Sequence, residues 1–381
     1  MKTPTEPQND YIIQAEHVTK KFTLDAGFFA KNDRFVYAVN DVSFGIERGK
    51  TYGLVGESGC GKTTTARMVV RMYRADSGKV WYRPSNGSGE ERALPPTGGG
   101  RAVRGSAIAP FGADESSVPN GTSLPRGSLA AAPIPSAAGS PEDVFAYSRR
   151  ALRRYREKIK YVFQDPSRSL NPRMNVFNIL TASYRYASIW PGKKQAYEEA
   201  ARIMEEVGLD ARDLERHPGE FSGGQRQRIS IARALIMRPE VIFCDEVVSA
   251  LDVSVQSQIL NLLQDIRETR GLSFLFIAHD LRVSCYFCDT IGVMYRGLLV
   301  EEAPAAMLYK EAVHPYTRLL FSDTSPSEKT HASSSEVTSV LETLSGCPFS
   351  HRCPHVSERC RREIPEWKEV GSGHKVRCWL L

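Results

Sequence analysis

The chain has 381 residues, 41% of them hydrophobic and 25% charged, and 50 basic against 44 acidic side chains leave a net charge of +6. That length allows two or three domains of roughly 150 residues and a large buried core. No apolar run reaches the ~18 residues of a membrane helix, the composition is neither collagen-like nor that of a wholly disordered chain, and residues 1–10 lack a signal peptide's basic and apolar regions, so the sequence predicts a cytosolic globular protein.

Residues 11–82 read as a strand-rich start. Valines and aromatics alternate over 36–46, and 51–55 is a short apolar strand. A glycine-rich loop follows at 56–62, then a helical pattern at 63–73 with Met68, Val69 and Met72 on one side. From 84 to 141 Gly, Ala, Ser and Pro dominate. Such a segment buries too little apolar surface to offset its ordering entropy, and it is expected to be a disordered surface insertion.

Beyond 142 the patterns are regular again. Helices are expected at 148–158, over most of 175–207 with a break near 190–192, from Ser222 to about 237, and at 254–269 and 280–287. Strands are expected at 159–163, 241–244 and 272–278, with a hairpin at 290–295 and 298–301. Strands alternating with helices predict an α/β fold around a mainly parallel sheet. Arg149, Arg150, Arg153, Arg154, Arg156, Lys158 and Lys160 form the clearest basic run. A solvated helix face is the expectation, with acidic lipid headgroups as the alternative and no nucleic-acid partner.

Gly56-Glu57-Ser58-Gly59-Cys60-Gly61-Lys62-Thr63 fits GxxxxGK[ST] between a strand and a helix. Glycines let backbone N–H groups approach phosphate oxygens, and the helix start adds its positive dipole end. Lys62 is placed for the β- and γ-phosphates and Thr63 for Mg²⁺. The apolar strand 241–244 ends in Asp245 and Glu246. Acids at the carboxyl end of a parallel strand face the ligand crevice, so Asp245 is expected to hold Mg²⁺ through water and Glu246 to polarise an attacking water. Ser222-Gly223-Gly224-Gln225 opens a helix, with Ser222 as N-cap. It is a second anion site about 160 residues from the first. A head-to-tail pair of chains, each phosphate loop facing the partner's helix start, accounts for both.

In that order these elements resemble the ATP-binding subunits of ABC transporters. The loop 56–63, with Thr64 after it, resembles the Walker A motif, 241–245 Walker B, and Glu246 the catalytic glutamate. Gln164 resembles the Q-loop glutamine and 222–225 the signature motif, with Phe221 in place of the commoner Leu. Ser249-Ala250-Leu251-Asp252 resembles the D-loop, His279 the switch histidine, and Phe22 the aromatic that stacks on adenine. Val247 stands where the family often has Pro. The resemblance implies a P-loop NTPase core with a parallel-rich sheet, antiparallel N-terminal strands, a helical subdomain and a small Cys-rich C-terminal extension. Its expected bounds are 11–83, 142–167 and 241–321 for the core, 84–141 for the insertion, 168–240 for the helical subdomain, 322–346 for a linker and 347–381 for the extension. It implies ATP and Mg²⁺ as ligands, with catalysis by Lys62, Glu246 and His279, and with Gln164 near the Mg²⁺.

Gln164-Asp165-Pro166, Ser169-Leu170-Asn171-Pro172-Arg173, His314-Pro315-Tyr316-Thr317 and the tail resemble the oligopeptide, dipeptide and nickel importers. The implied partners are a second, related ATPase subunit, two transmembrane permeases and, indirectly, an extracytoplasmic solute-binding protein. The implied place is the cytoplasmic face of the cell membrane. The competing expectation is a soluble ABC-type ATPase acting in translation, repair or iron–sulfur assembly; a non-catalytic scaffold is a third, opposed by the intact Lys62, Asp245 and Glu246. Four of the eight cysteines, Cys347, Cys353, Cys360 and Cys378, lie in the tail. Their thiolates could hold zinc or an iron–sulfur cluster; the resemblance favours [4Fe–4S], with zinc or no metal as alternatives. Cys285 and Cys288, spaced CxxC in an apolar helix, are expected in the core.

Overall fold

The computed structural model describes residues 10–24, 34–85, 139–322 and 346–381. Strands β1 (Tyr11–Leu24) and β2 (Arg34–Glu47) pair antiparallel and lead into β3 (Thr51–Val55) and helix α1 (Lys62–Val69). The helix is shorter than the pattern suggested, because Arg71 turns left-handed at φ 59°. β4 (Ser77–Tyr82) pairs with β1 and with the short β5 (Glu142–Asp143). The expectation for 84–141 falls outside the described residues from 86 to 138. Its two ends meet, with Gly139 N–H donating to Pro84 O at 2.9 Å.

The chain continues through α2 (Arg149–Lys158), β6 (Ile159–Val162) and the single turn α3 (Pro166–Ser169). Three longer helices follow, α4 (Val176–Ala187), α5 (Lys193–Glu206) and α6 (Gly223–Leu235). Next come β7 (Val241–Asp245), α7 (Val253–Arg270), β8 (Ser273–Ala278), α8 (Leu281–Phe287), β9 (Thr290–Tyr295), β10 (Leu298–Pro304), α9 (Ala305–Glu311) and α10 (Pro315–Ser322). The expected linker 322–346 lies outside the described residues but for its two end positions. The tail forms α11 (Glu358–Arg362), β11 (Lys368–Gly371) and β12 (His374–Val376), two strands that the sequence reading lacked.

Two sheets result, a four-stranded one in the order β2-β1-β4-β5 and an eight-stranded one in the order β11-β12-β10-β9-β3-β8-β7-β6. In the larger sheet β9, β3, β8, β7 and β6 run parallel, and β10, β12 and β11 continue it antiparallel. Successive side chains of the central strands enter opposite cores, as the period of 2 requires. Val241, Phe243, Leu275 and Ile277 meet α1 and the smaller sheet. Ile242, Cys244, Phe274 and Phe276 meet α4, α6 and α7. With both faces covered, these strands read as continuous apolar runs.

The basic run on α2 and β6 is mostly a solvated face, with Arg149, Arg150 and Arg154 exposed, but four of its members also bond to the fold. Arg156 donates to Arg71 O at 2.8 Å, Lys158 pairs with Glu240 at 3.4 Å, and Lys160 donates to Arg156 O at 2.8 Å. Arg153 reaches Ser188 Oγ at 2.9 Å. Cys288 is buried and Cys285 half-buried; burial pushes both thiols up, Cys285 to about 11. Among the described residues no helix is long and apolar enough to cross a membrane.

Candidate nucleotide site

The loop after β3, Gln164 after β6, Asp245 and Glu246 at the end of β7 and His279 after β8 all sit at the carboxyl ends of parallel strands. Residues spread over more than 220 positions thus share one sheet edge, where open α/β sheets bind ligands.

The phosphate loop is shaped by sterics. A Cβ on Gly61 would stand 2.2 Å from Ala38 O, so the backbone there packs too closely for any side chain. Gly59 differs: its φ is +82°, and a Cβ would meet nothing within 4 Å. The space over Gly59 is open, as an approaching anion needs. Lys62, 4% exposed, lays its Nζ on the loop and donates to Gly56 O at 2.7 Å and Glu57 O at 2.9 Å. Cys60 Sγ is 3.7 Å from it. Burial pushes the Cys60 thiol up, partly countered by Lys62, so it remains a buried neutral filler. No ion pair joins Lys62 to a carboxylate among the described residues. A buried cation held only by dipoles is a strong place for an anion.

Thr63 Oγ1 donates to Asp245 Oδ1 at 2.8 Å, and Tyr161 Oη donates to Asp245 Oδ2 at 2.6 Å. Burial, reinforced by the Asp245 charge, pushes the Tyr161 phenol up, so it stays a neutral donor. The Thr63 hydroxyl keeps lone pairs, and Asp245 adds carboxylate oxygens. Hard oxygens from two elements fit Mg²⁺, which takes one or two protein ligands and completes its shell with water and phosphate.

Glu246 adopts the left-handed region at φ 49°, an uncommon conformation for a residue other than glycine. Its N–H donates to Ile277 O at 3.0 Å, and its carbonyl accepts Ser249 N–H at 3.2 Å and Ser249 Oγ at 2.9 Å. The turn is therefore held although Val247 replaces the usual Pro. Gln164 Nε2 donates to Glu246 Oε2 at 2.8 Å.

Ser222 caps α6 in a capping box: Gln225 N–H donates to Ser222 Oγ at 3.3 Å and Ser222 N–H to Gln225 Oε1 at 2.9 Å. A Cβ on Gly224 would lie 2.7 Å from Val255, which ties the helix start to α7, while Gly223 is less crowded. No hydrogen bond joins 222–225 to 56–63 among the described residues. Asp252 is the N-cap of α7 without a side-chain capping bond, and His279 is exposed. Thr64 is partly buried in the first turn of α1, and Ser58 is exposed in the loop. Phe22 is 40% exposed on β1, edge-on to Tyr73 at 6.0 Å between centroids, leaving ring surface for a base.

The sequence reading missed Tyr161, whose only signal was a polar-tipped residue in a buried strand. It also missed Tyr316 and Arg352, which both contact Glu57. Tyr316 lies in the His314–Thr317 segment and Arg352 in the tail, far in sequence from the loop they touch.

Cys353, Cys360 and Cys378 lie near enough to Cys347 to help raise its thiol. Cys347 N–H donates to Cys360 O at 2.7 Å, and Ser357 Oγ lies 3.2 Å from Cys360 Sγ. Burial, with the neighbouring thiols, pushes Cys347 up to about 11. Among the described residues no three or more His, Cys, Asp or Glu side chains are placed as a metal-ligand group. Such a group would be the support for a [4Fe–4S] cluster or zinc, and the described residues do not supply it.

Comparison with known proteins matches residues 39–98 and 139–249 to the ABC transporter family and 300–360 to the oligopeptide/dipeptide transporter C-terminal region. The chain is 33% identical to the oligopeptide transport ATP-binding protein AppF of Bacillus subtilis, covering 99% of each chain. It is 35% identical to OppF of the same organism, covering 96% of each. Its fold is similar to cbiO1 from Clostridium perfringens, part of the ABC transporter complex cbiONQ, with TM-score 0.56 and 19% identity over 80% of this chain and 92% of that one. It is also similar to a dimeric ATP-binding cassette bound to ADP and Pi, with TM-score 0.54 and 20% identity over 77% and 98%.

Proposed function

Because the chain belongs to the ABC transporter family of ATP-binding proteins, we propose that it is the ATP-hydrolysing subunit of an importer for oligopeptides, dipeptides or a related small solute. One observation carries the chemistry: the 2.8 Å bond from Thr63 to Asp245 joins the phosphate loop to the acid-tipped strand. The importer assignment is supported by the match at 300–360 and by the names of the Bacillus relatives. Nothing comparable favours a soluble ATPase of translation, repair or iron–sulfur assembly.

In this proposal Lys62, the loop N–H groups and the start of α1 hold the phosphates, with Phe22 against the adenine. Thr63, Asp245 and Gln164 hold Mg²⁺, which when bound neutralises phosphate charge. Glu246 orients a water and takes its proton as the water oxygen attacks the γ-phosphorus in line. The bond from that phosphorus to the bridging oxygen breaks, and ADP leaves with the electron pair. His279 stabilises the γ-phosphate oxygens. Ser222, Gly223, Gly224 and Gln225, with Asp252 beside them, serve the nucleotide of a partner ATPase, which is a related but different chain.

The same proposal includes two permeases, an extracytoplasmic solute-binding protein acting through them, and a place on the cytoplasmic membrane face. It also takes over the division into a core (11–83, 142–167 and 241–321), a helical subdomain (168–240) and an extension (347–381). The test is purification of the tagged chain from mild-detergent membranes. Two permeases and a second ATPase are the expected companions. Recovery only from the soluble fraction, with ribosomes or nucleic acid, would leave the ATPase chemistry and remove the transporter.

A further inference from the structure

Glu57, in the phosphate loop, is gripped from two remote parts of the chain. Its N–H donates to Tyr316 Oη at 2.8 Å, across 259 positions. Its carboxylate accepts Arg352 Nη1 at both oxygens, 2.8 and 2.9 Å, across 295 positions. Burial pushes the Tyr316 phenol up, so this acceptor is a neutral hydroxyl. Both partners are themselves fixed. Phe349, 1% exposed, packs on Tyr316 at 5.5 Å and on Tyr295 at 5.4 Å between centroids. Arg352 N–H donates to Phe349 O at 3.0 Å. The tail strand β12 is bonded to β10, and the buried His374–Glu301 pair at 2.8 Å fastens it there.

A loop with glycines at positive φ at 56, 59 and 61 carries few side chains to lock its own shape. Its N–H groups bind phosphate only while aimed together, so ordering the loop in advance lowers the cost of binding. Neither Tyr316 nor Arg352 belongs to the nucleotide-contacting set, and the Glu57 N–H is already used by Tyr316. We propose that Arg352 and Tyr316 are positioning residues: through Glu57, the C-terminal segment holds the phosphate loop in its binding shape and so sets nucleotide affinity. This rests on the assignment of 56–63 as the ATP site.

The test measures binding of a fluorescent ATP analogue, ATPase KM and kcat, and thermal stability for the full chain and four variants. Arg352→Gln and Tyr316→Phe are expected to raise Kd and KM by about two- to fivefold with kcat unchanged, and Arg352→Lys to restore most of the loss. Glu57→Gln separates positioning from charge. Removing a carboxylate beside the phosphates should tighten binding if only charge matters, whereas loss of the grip weakens it. Tighter or unchanged binding in Glu57→Gln, or an unmoved KM in Arg352→Gln, overturns the proposal and leaves the ATP site standing. A lower melting temperature with KM unmoved also overturns it. A wild-type chain that binds no analogue overturns both.

Discussion

The side-chain amide of Gln164 donates to the carboxylate of Glu246 at 2.8 Å, joining the end of β6 to the residue after β7. Glu246 thus has a partner that fixes its orientation, on a backbone already committed to φ 49°. Glu246→Gln is expected to cut turnover by about 10²–10⁴ while ATP binding persists, because the amide cannot take a proton. Gln164→Ala is expected to slow turnover by about tenfold, since one hydrogen bond to a charged group is lost. Single-turnover hydrolysis alongside ATP titration checks both. A Glu246→Gln chain hydrolysing at the wild-type rate would remove Glu246 from the role.

Lys62 gives a test in which binding and stability part company. Its ammonium is buried against the Gly56 and Glu57 carbonyls and the Cys60 sulfur, with no carboxylate partner among the described residues. Lys62→Met keeps the apolar stem and removes a charge that is costly to bury. ATP affinity is expected to fall by about ten- to a hundredfold, with a melting temperature equal to or above the wild type. A variant that binds ATP normally would refute the phosphate-loop assignment.

His314 makes the fold acid-sensitive. Burial lowers its pKa from the ordinary 6.5 to about 4, and Tyr316 N–H donates to its Nδ1 at 3.1 Å, the nitrogen a proton would need. A histidine with a depressed folded pKa contributes stability that is complete above about pH 6.5. That stability is lost as pH falls toward 4, because the unfolded chain takes up the proton first. The loss is on the order of 3 kcal/mol across that window. Urea midpoints at pH 7.5, 6 and 5 are expected to fall more steeply for the wild type than for His314→Asn; parallel curves would exclude His314 as the cause.

Phe349 anchors the tail against Tyr295 and Tyr316 and is 1% exposed. Phe349→Ala is expected to destabilise the protein by about 3–5 kcal/mol through lost transfer energy and a residual cavity. Denaturant unfolding measures this directly. A loss under 1 kcal/mol would mean that the tail does not share the core.

Much of the site was legible because its chemistry demands fixed local patterns. A phosphate loop needs its glycines and lysine within eight positions, and a buried parallel strand announces itself before Asp245 and Glu246. The alternation of strands and helices gave the parallel sheet for the same reason. Contacts between distant segments leave no such local trace. Nothing near Glu57 announces Arg352, and nothing in 374–376 announces a partner in β10, since three residues carry too little period to be read as a strand. The residue type of the tail cysteines suggested ligands, but spacing does not fix where thiols point.

The buried pair of Glu301 and His374 also has a time dimension. The two lie 73 positions apart, and at about 5–20 residues per second a ribosome needs roughly 4–15 s to make the second after the first. Through that interval β10 is the unpaired border of the sheet and Glu301 lacks its histidine. The nascent cassette therefore passes through a stage with an open edge, in which the Glu301 carboxylate has the N–H groups of Val313 and His314 but not its histidine. Completion of the sheet waits for the same C-terminal segment that later grips the phosphate loop, so only a chain synthesised through this point acquires both.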